Sequence, residues 1–143
     1  MTWRYAPLHL KMNEGDDLSE AAEKRMLADK SQRFIEHFRA ASGLSWRRWA
    51  AEGHGIDIPA VDLGAVKLVL APAEAFVQYQ LSAQQMRPDS FVMVMGYGEC
   101  APGYIPTKKA VAEGWHDRPW EWADPATAED AMMPALRAAL ARS

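Results

Sequence analysis

Residues 61–95 constrain the fold more than any other stretch of the chain. Val66, Leu68 and Leu70 alternate with Lys67 and Val69, a period of two that sends successive side chains to opposite faces of a strand. Ala73, Phe76, Val77 and Leu81 then recur at helical spacing. Pro72 stands where a first-turn proline belongs, so the spacing predicts a helix from 72 to 86, broken by Arg87-Pro88-Asp89. Phe91-Val92-Met93-Val94-Met95 is a continuous apolar run, the pattern of a strand covered on both faces. Strand, helix and buried strand in this order make a βαβ unit with a right-handed crossover, its strands 66–70 and 91–95 parallel neighbours or near-neighbours. A further β-run, Val61-Asp62-Leu63, precedes Gly64. The expected fold class is α/β, with α+β as the alternative: a βαβ unit within a mixed sheet flanked by helices.

The flanking segments are less patterned. Trp3 to Leu10 alternate loosely and read as a short strand. Asp17 and Glu20 form a capping pair for a helix whose stripe is Leu18, Ala22, Met26, Phe34, Ile35 and Phe38, and Gly43 supplies its stop. A second helix over Ser45–Glu52 sets Trp46 and Trp49 on one face. After the glycine- and proline-rich loop 96–107 come a short helix over Thr107–Glu113 and a stretch holding Trp115, Trp120 and Trp122. That stretch packs by aromatic burial, either over its own core or against another domain. The last helix is expected to begin with Pro134 at its first position.

Composition narrows the function classes. A chain of 143 residues with 49% apolar and 24% charged side chains has the balance of one globular domain, or of part of a larger one. A net charge of −3 argues against nonspecific nucleic-acid binding, which needs a basic face. The single cysteine, Cys100, excludes an internal disulfide framework and every multi-cysteine metal motif. Met1–Asp17 carries Arg4, His9, Lys11, Glu14 and Asp16 with no apolar core, so it is not a signal peptide, and a cytoplasmic location is expected. The most apolar window, Ala65–Val77, is interrupted by Lys67, Pro72 and Glu74, so no transmembrane segment is expected.

In open α/β sheets, sites lie beyond the carboxyl ends of the parallel strands. Glu74 follows the first strand of the βαβ unit, in the first turn of the expected helix, and the loop ending at Tyr104 follows the second. A carboxylate and a phenol on one sheet edge can serve as metal ligands or as an acid/base pair. They can equally be a helix-dipole partner and a loop anchor. His9, His37, His54 and His116 form no His-x-His, HExxH or i, i+4 pair, and Cys100 has no histidine beside it in sequence, which favours a small loop residue. Neither a Gly-x-Ser-x-Gly elbow nor a phosphate-binding loop is present.

Leu70-Ala71-Pro72-Ala73-Glu74, Phe76-Val77-Gln78-Tyr79-Gln80-Leu81, Arg87-Pro88-Asp89, Gly96-Tyr97-Gly98 and Gly103-Tyr104-Ile105-Pro106-Thr107 together resemble the later part of the catalytic domain of neutral/alkaline ceramidases. The similarity is best over residues 58–114. It implies a zinc-dependent N-acyl amidohydrolase acting on a lipid amide such as N-acylsphingosine, with Glu74 and Tyr104 as two of the four metal ligands. The other two are histidines that the family carries upstream, so the resemblance implies an upstream histidine-bearing chain as partner. Self-association is the other route, with His9, His54 or His116 of a neighbouring copy as donors. An isolated chain with two oxygen ligands is expected to bind zinc weakly or not at all. Where the family has Leu-Pro-Gly-Glu, this chain reads Ala71-Pro72-Ala73-Glu74, losing the turn glycine. Some relatives carry a second tyrosine where this chain has Trp115-His116, which makes His116 a candidate catalytic side chain. Family members are often exported. The alternative is a non-catalytic binding or structural module that keeps the fold without the metal.

Overall fold

The computed structural model describes residues 1–98, 102–116 and 118–142; Cys100, read above as a loop residue, lies outside them. The strands are β1 (Thr2–Leu8), β2 (Ile56–Asp62), β3 (Val66–Leu70), β4 (Glu74–Ala75), β5 (Phe91–Met95) and β6 (Tyr104–Ile105). The helices are α1 (Glu20–Ala28), α2 (Phe34–Ala51), α3 (Val77–Met86), α4 (Lys108–Ala112) and α5 (Ala128–Ala139). β1, β2, β3 and β5 form one mixed sheet in that order, and β4 pairs with β6 in a second, two-stranded ladder. β1–β2 and β2–β3 are antiparallel, and β3–β5 is parallel with Val66 opposite Phe91 and Leu70 opposite Met95. The expected βαβ unit is present, and the fold class is α/β with a mixed sheet flanked by helices.

The inner face of the sheet carries Ile56, Ile58, Val69 and Val92, all nearly inaccessible. α3 and α5 touch each other and close this face with Tyr79, Ala83, Met132 and Leu136. Each aliphatic side chain so buried contributes about 1.5–3 kcal/mol. Arg87, at the end of α3, joins the layers: its guanidinium grips Asp89 through two bonds of 3.0 and 3.1 Å and donates to the Leu140 carbonyl at 3.0 Å.

The outer face differs from the expectation for residues 91–95. Phe91, Met93 and Met95 are 60%, 42% and 41% exposed, so β5 is covered on one face only. Its apolar run reflects a second apolar sheet face, continued by Leu68 and Val61 and ending at exposed Trp3.

Four helix boundaries also differ from the sequence reading. The crossover helix starts at Val77, not at Pro72, because Ala73 lies in the left-handed region (φ 55°) and Glu74 donates its N–H to the Gly103 carbonyl at 3.0 Å. Glu74 therefore belongs to a strand and not to a helical first turn. Gly43 does not stop a helix; α2 runs through it into the stretch read as a separate second helix. A Cβ at Gly43 would stand 1.7 Å from a Glu23 carboxylate oxygen and 2.7 Å from the Trp122 ring nitrogen, so glycine is there for close packing. The break falls at 29–33, where Asp29 accepts from the Ser31 N–H and hydroxyl and from the Gln32 amide. Pro134 sits inside α5, which starts six residues earlier at Ala128, after a turn built on Asp124.

Candidate functional site

The loops that leave the carboxyl ends of β3 and β5 are tied to one another. The Ala71 N–H donates to Met95 at 2.7 Å, Gly98 N–H to Ala71 at 2.9 Å, and Tyr97 N–H to Ala73 at 2.8 Å. Ala73 and Tyr97 are the non-glycine residues with positive φ among those described, at 55° and 59°. Two side-chain-bearing residues held in this region, bonded to each other, mark stored backbone strain of the kind that clusters at binding and catalytic sites. Ala73 occupies the position at which the resembled pattern has glycine, and its backbone keeps the conformation that glycine adopts most easily.

Beyond this turn the chain forms the β4–β6 ladder, in which Glu74 is the direct parallel partner of Tyr104. Both line a cavity of about 770 Å³ beyond the sheet edge. α2 supplies another wall with Phe38, Trp46 and Trp49, while Trp120 and Trp122 pack edge to face at 5.8 Å between centroids. The strand-like return of Trp122 is fixed by Asn13, which donates its backbone N–H to the Trp122 carbonyl at 2.8 Å. Gly103 allows this closure: its φ is 70°, and a Cβ would lie 2.0 Å from the Trp120 carbonyl oxygen. Trp46 and Trp122 are buried at the floor, whereas Phe38 and Trp49 are exposed at the rim.

Glu74 is half-buried, and among the described residues it has no ion-pair partner. Among the described residues it is the cavity's sole carboxylate, and none of the lysines, arginines or histidines among them lines the walls.

The histidines lie elsewhere. His116 borders a separate cavity of about 470 Å³ with Asn13 and Arg39, and its Nδ1 is 2.8 Å from Oε2 of fully buried Glu121. This pairing fixes the ring's orientation, and neither residue reaches the Glu74 cavity wall. His54 stacks on Trp49 at 4.5 Å and meets Glu52 at 3.1 Å. His37 bonds the Asp29 carbonyl, and His9 packs against Gly55. Among the described residues no three His, Cys, Asp or Glu side chains gather into a group that could hold a metal ion. Glu74 and Tyr104 would bring two oxygen ligands to a zinc ion, which takes four and favours nitrogen and sulfur.

Two buried carboxylates escape a reading of the sequence. Glu23, on α1, has neither oxygen hydrogen-bonded among the described residues, and burial pushes its pKa up to about 7. Glu121 is the second. Its five-residue spacing from His116 across a tryptophan-rich segment is a weak signal, and Glu23 gives none. Among the described residues no helix is long and apolar enough to cross a membrane. Searches of family models, curated proteins and solved structures find no match to this chain.

Proposed function

We propose that the chain carries the carboxylate–phenol half of a ceramidase-like zinc amidohydrolase site. The observation behind this reading is the register pairing of Glu74 with Tyr104 on the wall of one apolar cavity. In this reading the aromatic walls take the apolar part of a lipid amide, and Glu74 and Tyr104 mark the pole at which the amide lies. The strained Ala73–Tyr97 turn holds the carboxylate at that pole. A zinc ion bound there would lower the pKa of a water ligand and polarise the amide carbonyl. The remaining nitrogen donors come from a histidine-bearing partner chain or a second copy.

Zinc content after dialysis tests this, measured on the chain alone and mixed with a histidine-bearing partner chain, beside hydrolysis of an N-acyl amide. The expected result is retention and hydrolysis only in the mixture, with both lost in Glu74→Gln and Tyr104→Phe. Zinc retention and hydrolysis indifferent to Glu74→Gln would overturn the assignment.

A second reading is favoured by the absence of a third metal ligand among the described residues: a binding module that keeps the cavity without the metal. It predicts an apolar ligand bound by the chain alone with no zinc in the mixture.

A further inference from the structure

Among the described residues, seven aromatic side chains and one carboxylate without an ion-pair partner line the cavity, and no cationic side chain does. We infer that this chain, in the absence of a metal, binds an organic cation of the alkylated-ammonium class in the cavity, with the positive head beside Glu74. The inference rests on reading the cavity as a ligand site and not on the zinc chemistry.

The ring faces are what select the charge. Tryptophan presents the best π-face to a cation, and a desolvated cation–π contact is stronger than an exposed one. Phe38 and Trp120 lie 6.4 Å apart between centroids, and Trp120 and Trp122 lie 5.8 Å apart at 73°, so adjacent walls meet at an angle and not as one flat stack. Such a corner surrounds a rounded head group with several ring faces at once. Tyr97 and Tyr104 stand on the side of the strained turn, and Trp49 forms part of the rim.

Glu74 decides against a neutral occupant. A neutral apolar ligand filling the cavity would strip water from a carboxylate with no counter-charge, which is costly. An anion would be repelled by the same group and by the ring faces. A primary ammonium carries three N–H donors that would need Glu74 and the hydroxyls of Ser42, Ser45, Tyr97 or Tyr104 gathered about one nitrogen, whereas ring faces make up most of the walls. A quaternary or fully alkylated head has no donor to satisfy and spreads its charge over methyl groups that pack on rings. The cavity's volume, about 770 Å³, leaves room for an apolar body behind the head.

The test uses choline and its neutral isostere 3,3-dimethylbutan-1-ol as probes, titrated into the whole chain and followed by tryptophan fluorescence and calorimetry. Choline is expected to bind at least about tenfold more tightly than the isostere. Glu74→Gln is expected to remove most of that preference, weakening choline and strengthening the isostere, which no longer desolvates a charge. Trp49→Leu, at the rim, is expected to weaken choline by severalfold, with circular dichroism showing that both variants fold. Equal binding of the two probes overturns the cation assignment and leaves the cavity as an apolar site. Absence of binding by either probe overturns both the inference and the reading of the cavity as a ligand site. Zinc retention by a partner mixture is a separate measurement, so failure of the zinc reading is distinguishable from either result.

Discussion

Replacing Glu23 by glutamine measures the cost of burying a carboxylate behind the cavity's tryptophans. Glu23 is 3% exposed, with both oxygens lacking hydrogen-bond partners among the described residues, and it lies against Gly43 beside the Trp122 ring nitrogen. Desolvation raises its pKa from 4.5 to about 7, and the guanidinium groups of Arg47 and Arg39 offset only part of that rise. Because the folded-state pKa is above the unfolded one, the folded state binds the proton more tightly between the two values. Glu23 is therefore neutral and without electrostatic cost below about pH 4.5; stability then falls as pH rises to about 7, and the full cost persists above. At about 1.36 kcal/mol per pH unit, the separation corresponds to about 3 kcal/mol. Glu23→Gln keeps the shape and removes the charge. Urea unfolding of both proteins across the range should give close midpoints near about pH 4.5 and a variant more stable by about 2–3 kcal/mol near about pH 8. Taking the difference between the two proteins cancels the carboxyls of Asp29, Asp62 and Asp89, all held below their usual range by hydrogen bonds from neighbouring side chains. Parallel stability curves for the two proteins from acid to mild alkali would refute the reasoning.

Three further substitutions test the backbone. Ala73→Gly relieves a left-handed alanine costing about 1–2 kcal/mol, less the entropy glycine adds to the unfolded chain, so a net gain of about 0.5–1 kcal/mol is expected in thermal unfolding. Gly103→Ala drives a methyl into the Trp120 carbonyl and should cost about 3 kcal/mol or more; a melting temperature equal to that of the parent would contradict the close approach. Pro134→Ala restores a helix-interior N–H in α5 and should stabilise by up to about 3 kcal/mol, checked by the chemical denaturation midpoint.

The βαβ unit was legible because its periods are local: alternation in β3 and an apolar run in β5 identify strands whatever surrounds them. What each face packs against is not local. The same run, Phe91 to Met95, satisfies a doubly covered strand and a strand between a core and a bare apolar face, and only tertiary structure separates the two. Gly43 and Pro134 misled for a related reason. Each costs a helix a few kcal/mol at most, and burial elsewhere on α2 and α5 offsets that. Pro72 fits a helical first turn in sequence, yet the left-handed Ala73 sends the chain into β4 first. The neighbourhood of Glu74 and Tyr104 followed from the edge-of-sheet rule, because both leave the ends of parallel strands. The ring-lined cavity did not, since Phe38, Trp46 and Trp49 read as an ordinary helix stripe until α2 is laid across that edge. The Glu121 carboxylate beneath His116 was hinted at only by its spacing, its burial being set by a tight fold of the tryptophan segment.

The uncovered outer face of the sheet makes concentration a thermodynamic variable for this chain. Trp3, Val61, Leu68 and Met93 form a continuous cross-strand row, with Val66–Phe91 and Leu70–Met95 beside it. A surface of this kind gains by meeting any apolar face, and whatever covers it binds the folded chain alone, so mass action adds to the folding free energy. Where a second copy is what covers it, the unfolding midpoint rises with protein concentration and dilution acts as a denaturant. Concentrated and dilute samples of the same sequence then differ in stability with no change in any internal contact.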